Sequence, residues 1–138
     1  MKHTKSRGFS LIELLIVIVV LGTLTTLAVS SYENYVRKAK RSKAKADLLE
    51  LTQLIERNYT ESNRFDQDAA GNAYTLAFSK SPRTGKTSYN LSFAAAPTTT
   101  TYTIQAVPTG SDPLCGTLTL NQAGVRTESG TGTVADCW

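Results

Sequence analysis

Histidine, methionine and tryptophan each occur once in the chain, and there are only two cysteines and four prolines. The single histidine, His3, sits before the long apolar run. Nothing downstream can complete a Ser/His/Asp set or a His-based metal centre. Two cysteines are too few for a zinc cluster built mainly on thiolates. They are also too few for a disulfide-dense miniprotein. No Gly-rich phosphate loop and no paired-carboxylate constellation stands out. Asp66 and Asp68 flank Gln67, but the rest of an EF-hand ligand pattern is missing. Asn58 and Asn90 each begin an Asn-x-Ser/Thr triplet, a pattern too short to carry a site. These absences predict a protein that is not an enzyme and needs no metal or cofactor.

Long apolar runs are absent beyond residue 30, and the mean hydropathy of −0.18 excludes a multi-span membrane protein. The 41% hydrophobic and 19% charged content is that of a folded chain. At 138 residues there is room for one domain and an appendage.

The net charge of +4 is unevenly spread. Lys2, Lys5 and Arg7 precede the apolar run, and six more bases crowd between Arg37 and Lys45. From Asp47 to Trp138, six bases face nine acids. The candidate folded part is therefore mildly acidic, and the pI of 9.2 does not mark a nucleic-acid-binding domain.

The apolar run is Phe9 to Val29, in which fifteen of 21 residues are apolar. As a helix it would be about 31 Å long, the thickness of a bilayer's hydrocarbon core. The bases before it predict a cytoplasmic N-terminus. Ala28-Val29-Ser30 could serve as an ordinary signal-peptidase site. Glu13 argues against that reading. A carboxylate in an apolar segment costs up to about 2.5–3.5 kcal/mol at mid-membrane and calls for a partner. Cleavage between Gly8 and Phe9 would supply one, because the new ammonium at Phe9 could pair with Glu13 of a neighbouring copy.

Arg7-Gly8-Phe9-Ser10-Leu11-Ile12-Glu13 resembles the class III signal of type IV pilins and pseudopilins. The resemblance implies that a membrane prepilin peptidase cuts after Gly8 and N-methylates Phe9. It implies that Phe9 and Glu13 set the register of subunits in a fibre. The expected partners are other pilin subunits, the peptidase and an assembly platform in the inner membrane. The head would lie in the periplasm and later on a surface fibre. One departure concerns Ser30, where many family members carry Pro. Gly22 and the Thr and Ser residues after it still weaken the helix.

The helix is expected to continue from about Ser10 to Asn58. Residues 1–8 then form a leader, 9–30 the membrane half, 31–59 the amphipathic half and 60–138 the head. Ala44, Leu48, Leu51 and Ile55 recur at helical spacing, joined by Ala46, Leu49 and Leu54. The bases of Arg37 to Lys45 are read as a juxtamembrane collar, with a nucleic-acid contact as the alternative. Beyond residue 60, strands are predicted at Tyr74–Phe78, Ser88–Ala95, Thr101–Val107, Thr117–Leu120 and Val125–Thr127. Short sequential strands favour an antiparallel meander with one face on the helix. The fold class is thus α+β: a long N-terminal helix on an antiparallel sheet of about four strands.

An even cysteine count after an export-like start suggests a Cys115–Cys137 disulfide, with a reduced pair as the alternative. The bond would pin the C-terminus. Cys115-Gly116-Thr117-Leu118-Thr119-Leu120-Asn121-Gln122, with Asp136-Cys137-Trp138, resembles the PilE-type minor pilins and their disulfide-bounded loop. This predicts a minor pilin supporting twitching, adhesion or DNA uptake. A type II secretion pseudopilin and a major pilin are the near alternatives.

Lys80, Arg83 and Lys86 carry a further alternative. Three bases in a Pro/Gly loop could grip phosphates, with Tyr74 and Tyr89 near for stacking. Minor pilins of the ComP type bind DNA through basic loops in this region. Against this, those receptors have a second disulfide that is missing here.

Overall fold

A computed structural model describes residues 9–138. His3, Gly8 and the rest of the expected leader lie outside the described residues. The chain divides at Val36 and Arg37 into two compact units.

A helix, α1, is assigned over Leu11–Ser62. Its first residues belong to the N-terminal unit. Ser10 precedes it, and its backbone N–H reaches Glu13 Oε2 at 3.4 Å. Glu13 thus lies three residues after a serine at the helix start, the spacing of a capping box. From Phe9 through Leu24 the large apolar side chains are exposed. This is the one helix among the described residues long and apolar enough to cross a membrane. Thr23, Thr25 and Thr26 donate their hydroxyls to the carbonyls of Val20, Leu21 and Thr23 at 2.7–2.9 Å. The hydroxyls therefore carry no unmet bond into an apolar surrounding. A side chain at Gly22 would meet nothing within 4 Å.

In the second unit α1 continues to Ser62, four residues past the expected end. Asn63 stops it by taking a left-handed φ of 59°, which asparagine tolerates better than most residues. Its N–H returns to Tyr59 O at 2.7 Å. Ala44, Leu48, Leu51 and Ile55 are fully buried. Ala46 and Leu49 are not: both are exposed, and Leu54 is only half-buried. At about 100° per residue, one position along from Leu48 leaves the core face.

Five antiparallel strands follow in the order of the chain: β1 Lys80–Ser81, β2 Tyr89–Phe93, β3 Thr103–Pro108, β4 Leu118–Asn121 and β5 Arg126–Glu128. A short helix, α2 Val134–Cys137, ends the fold. The alternation read from the sequence holds, since Leu91, Ile104, Ala106, Leu118 and Leu120 are all buried. They share one core with the helix face, Phe65, Tyr89, Tyr102 and the cysteines. Full burial of each large aliphatic side chain contributes about 1.5–3 kcal/mol.

The strand expected at Tyr74–Phe78 does not form. Tyr74, Leu76 and Phe78 do pack on the core at alternate positions. The backbone there has no ladder partner, and the sheet's first pairing falls at Lys80 and Ser81 against Asn90 and Tyr89. Side-chain alternation satisfies the core without the hydrogen bonds that define a strand.

Cys115 and Cys137 are bonded, with Cα atoms 5.6 Å apart. The bond ties α2 to the segment before β4. Gly130 packs so closely on the Leu114 carbonyl that a Cβ there would collide with backbone. The C-terminal Trp138 donates its Nε1–H to Thr127 O at 2.9 Å and so covers β5. Lys45 on α1 donates to a Trp138 carboxyl-end oxygen at 3.0 Å.

Candidate nucleic-acid interface

The buried centre of this region is Asp112. Arg41 on α1 donates to both its oxygens, at 3.1 Å through Nε and 2.7 Å through Nη2. Tyr89 on β2 donates its hydroxyl to Oδ2 at 2.8 Å. The Arg41 and Asp112 side chains are 7% and 6% exposed. Burial works against the Asp112 carboxylate, but the bonds from Arg41 and Tyr89 outweigh it and hold its pKa below the usual range. Burial and the bond to Asp112 push the Tyr89 hydroxyl up to about 12. Tyr89 is thus a buried donor and not a stacking surface, which overturns one expectation. Tyr74 is half-buried, edge-on to Phe93 with centroids 6.4 Å apart.

Above Asp112 lies a cleft of about 180 Å³. Arg37 and Lys40 of α1 form one side, Lys86 to Tyr89 a second, and Pro108 to Asp112 the third. Of the three loop bases singled out in the sequence, only Lys86 lines it. Lys80 lies on β1. Arg83 is paired with Glu50 of α1 and its guanidinium carbon lies 3.7 Å from the Phe78 ring centroid. Sequence reasoning misses Arg37 and Lys40 as neighbours of Lys86. It assigns them to a collar, and only the approach of helix and loop joins them.

The two acids of the Asp66-Gln67-Asp68 turn are occupied. Asp66 accepts from Arg64 at 2.6 and 2.8 Å. Asp68 Oδ1 accepts from the N–H groups of Ala70 and Asn72 at 2.9 Å. Asn58 donates its amide to Ser62 and to the Arg64 and Gln67 carbonyls, so its side chain acts as a loop clasp.

A family model described as "Type IV minor pilin ComP, DNA uptake sequence receptor" matches residues 30–119. The chain belongs to the ComP family of type IV minor pilins. A second model, the prokaryotic N-terminal methylation motif, matches residues 3–29. Together they cover the membrane half and most of the head. The C-terminal signature in the sequence points to the PilE type, with the ComP type as an alternative; the family match is to the ComP type. The family match settles the superfamily and the minor-pilin class.

Two solved structures are similar in fold. One is the non-core minor pilin PilV of Neisseria meningitidis, at 24% identity and a TM-score of 0.49, covering 75% of this chain and 94% of that one. The other is a type IV pilin from Shewanella oneidensis, at 26% identity and a TM-score of 0.49, covering 73% and 96%. No curated protein matches the chain.

Proposed function

We propose that this chain is a processed minor pilin that carries a DNA-binding head. One observation carries the reading: the ComP match spans residues 30–119, most of the head, and not only the N-terminal motif. Prepilin peptidase cuts between Gly8 and Phe9 and methylates Phe9. Before cleavage the N-terminus is cytoplasmic and the head periplasmic. The assembly platform of the inner membrane then passes the subunit into a fibre. There the exposed apolar residues of Phe9 to Leu24 pack among the helices of other pilin subunits. Phe9 and Glu13 fix the register. The protein is a substrate of enzymes and performs no catalysis of its own. Its head contributes to DNA uptake, and twitching or adhesion belongs to the fibre as a whole.

Mass spectrometry of fibres sheared from the native host tests the pilin half of this reading. The expected result is a chain beginning at N-methylated Phe9, at a small fraction of the main subunit. Recovery from the envelope alone would point to a pseudopilin. The DNA half is tested by titrating a labelled duplex into the full chain in neutral detergent micelles. Absence of saturable binding at low salt would refute it.

A further inference from the structure

Most bases of the second unit, Arg37–Trp138, are committed within the fold. Arg41 is held by Asp112, Lys43 by Asp47, Arg57 by Glu61, Arg64 by Asp66 and Arg83 by Glu50. Lys45 is turned to the C-terminal residue and Arg126 lies over the Trp138 ring. Lys38, Lys40, Lys80 and Lys86 have no ion pair among the described residues. Two of these four, Lys40 and Lys86, open on the same cleft, which Arg37 also lines. They come from elements 46 positions apart in the chain. The one acid in the lining is Asp112, and Arg41 already neutralises it at 2.7 Å. The cleft therefore carries an excess of positive charge, although the chain from Asp47 to Trp138 is mildly acidic.

We infer that this cleft seats a phosphodiester of the DNA backbone, with Lys40 and Lys86 as the cations that meet it. The inference rests on the DNA-binding reading above and names the place and chemistry of contact. Size favours a phosphate over a whole nucleotide. The cleft's 180 Å³ is below the roughly 300–1,000 Å³ of sites that enclose a drug-sized ligand. The other lining groups fit a backbone rather than a base. Thr109 spends its hydroxyl on the Thr87 and Ser88 carbonyls at 3.0 and 3.1 Å. Tyr89 spends its own on Asp112. What faces outward is mainly charge, which binds phosphate and does not read sequence.

Arg83 then has a defined part as a positioning residue. Its pairing with Glu50 and its stack on Phe78 anchor the loop that carries Lys86. The acid-to-base pairing fixes the loop; the free lysine meets the ligand.

The test uses the full chain in neutral detergent micelles and two fluorescein-labelled duplexes of unrelated sequence. Anisotropy gives affinity across KCl from about 50 to 300 mM. In Lys40→Gln/Lys86→Gln, the one phosphate contact of the cleft is lost. The slope of log K against log salt should flatten by about 0.9, with about a tenfold loss of affinity near 0.1 M. The loss should be equal on both duplexes. Lys80→Gln removes the same charge outside the cleft and should flatten the slope by well under one contact. All three changes are at exposed side chains, and unchanged Trp138 fluorescence verifies the fold.

Wild-type binding with an unaltered slope in the double variant would overturn the cleft assignment while leaving the DNA reading intact. Equal effects of Lys80→Gln and Lys86→Gln would overturn it too, by reducing the site to net charge. No wild-type binding at all would sink both. A second arm adds phosphatidylglycerol to the micelles, since a lipid headgroup has the same phosphodiester. If that lipid's binding is lost in the double variant while DNA binding and its salt slope are the same in both proteins, the cleft is a lipid seat and the DNA assignment fails.

Discussion

Arg41→Met is the sharpest perturbation of the fold. The change keeps most of the side-chain length and removes the guanidinium. Asp112 is then stranded with the Tyr89 hydroxyl at 2.8 Å and the Cys115 N–H at 3.4 Å. Breaking a buried pair by deleting one partner costs about 3–5 kcal/mol, because the remaining charge stays desolvated. An exposed pair is worth about 0–1 kcal/mol. Arg57 and Glu61 supply that comparison, at 76% and 57% exposure. Urea unfolding in micelles, followed by the fluorescence of the only tryptophan, Trp138, reads the head selectively. With an m-value of about 1–2 kcal/mol/M, the Arg41→Met midpoint should fall by roughly 2–4 M. Arg57→Met should shift it by well under 1 M by the same arithmetic. Arg41→Met/Asp112→Leu should be less destabilised than Arg41→Met, since no charge is left buried. If Arg41→Met behaves like Arg57→Met, or the double change is the worse of the two, the pair is not the buried node described above.

Three further outcomes are expected. The Asp112 pKa is lowered on folding, so its contribution is present above the unfolded carboxylate value of about 3.9 and is lost as pH falls through the folded value. Asp112→Asn should therefore flatten the acid side of stability against pH, measured as urea midpoints; an unchanged limb would leave Asp112 out. Replacing both Cys115 and Cys137 by Ser should cost about 3 kcal/mol in the chain-entropy account, seen as a lower melting temperature of the head. Arg83→Met should weaken DNA binding by a similar factor at every salt, leaving the salt slope as in the wild type, because Arg83 positions Lys86 and neutralises no phosphate itself. A flattened slope would make Arg83 a direct contact.

The parts of the fold that are legible in the sequence rest on short-range periodicity. Ala44, Leu48, Leu51 and Ile55 sit one helical turn apart. Leu91, Ile104, Ala106, Leu118 and Leu120 alternate in strands, and all of these are buried. The errors arise where periodicity and backbone pairing part company. Tyr74, Leu76 and Phe78 alternate and pack, yet they lack a partner strand. Ala46 and Leu49 are apolar, but their angle on the helix points them away from the core. The site is the least legible part. Lys86 is visible as one base in a loop. Its grouping with Arg37 and Lys40 depends on how a loop approaches a helix nearly fifty positions earlier. Arg41 and Asp112 are 71 positions apart, and no local pattern marks either as buried.

The same long-range pairing explains how a cleft with an aspartate at its floor can be cationic. An aspartate at the floor of the cleft would ordinarily repel a phosphate. Here both of its oxygens are taken up by Arg41, and Tyr89 adds a third donor. Elsewhere Asp47, Glu50, Glu61 and Asp66 are each matched to a base within the fold. Pairing of this kind removes charges of both signs from the surface in equal number. What remains outside the pairs is then decided by position and not by composition. Lys40 and Lys86 remain, and they remain together. A count of charges from Asp47 to Trp138 alone, six bases against nine acids, predicts repulsion of DNA. The potential at one cleft depends on which charges lie within about 8–10 Å of it at physiological salt, and those are mostly positive.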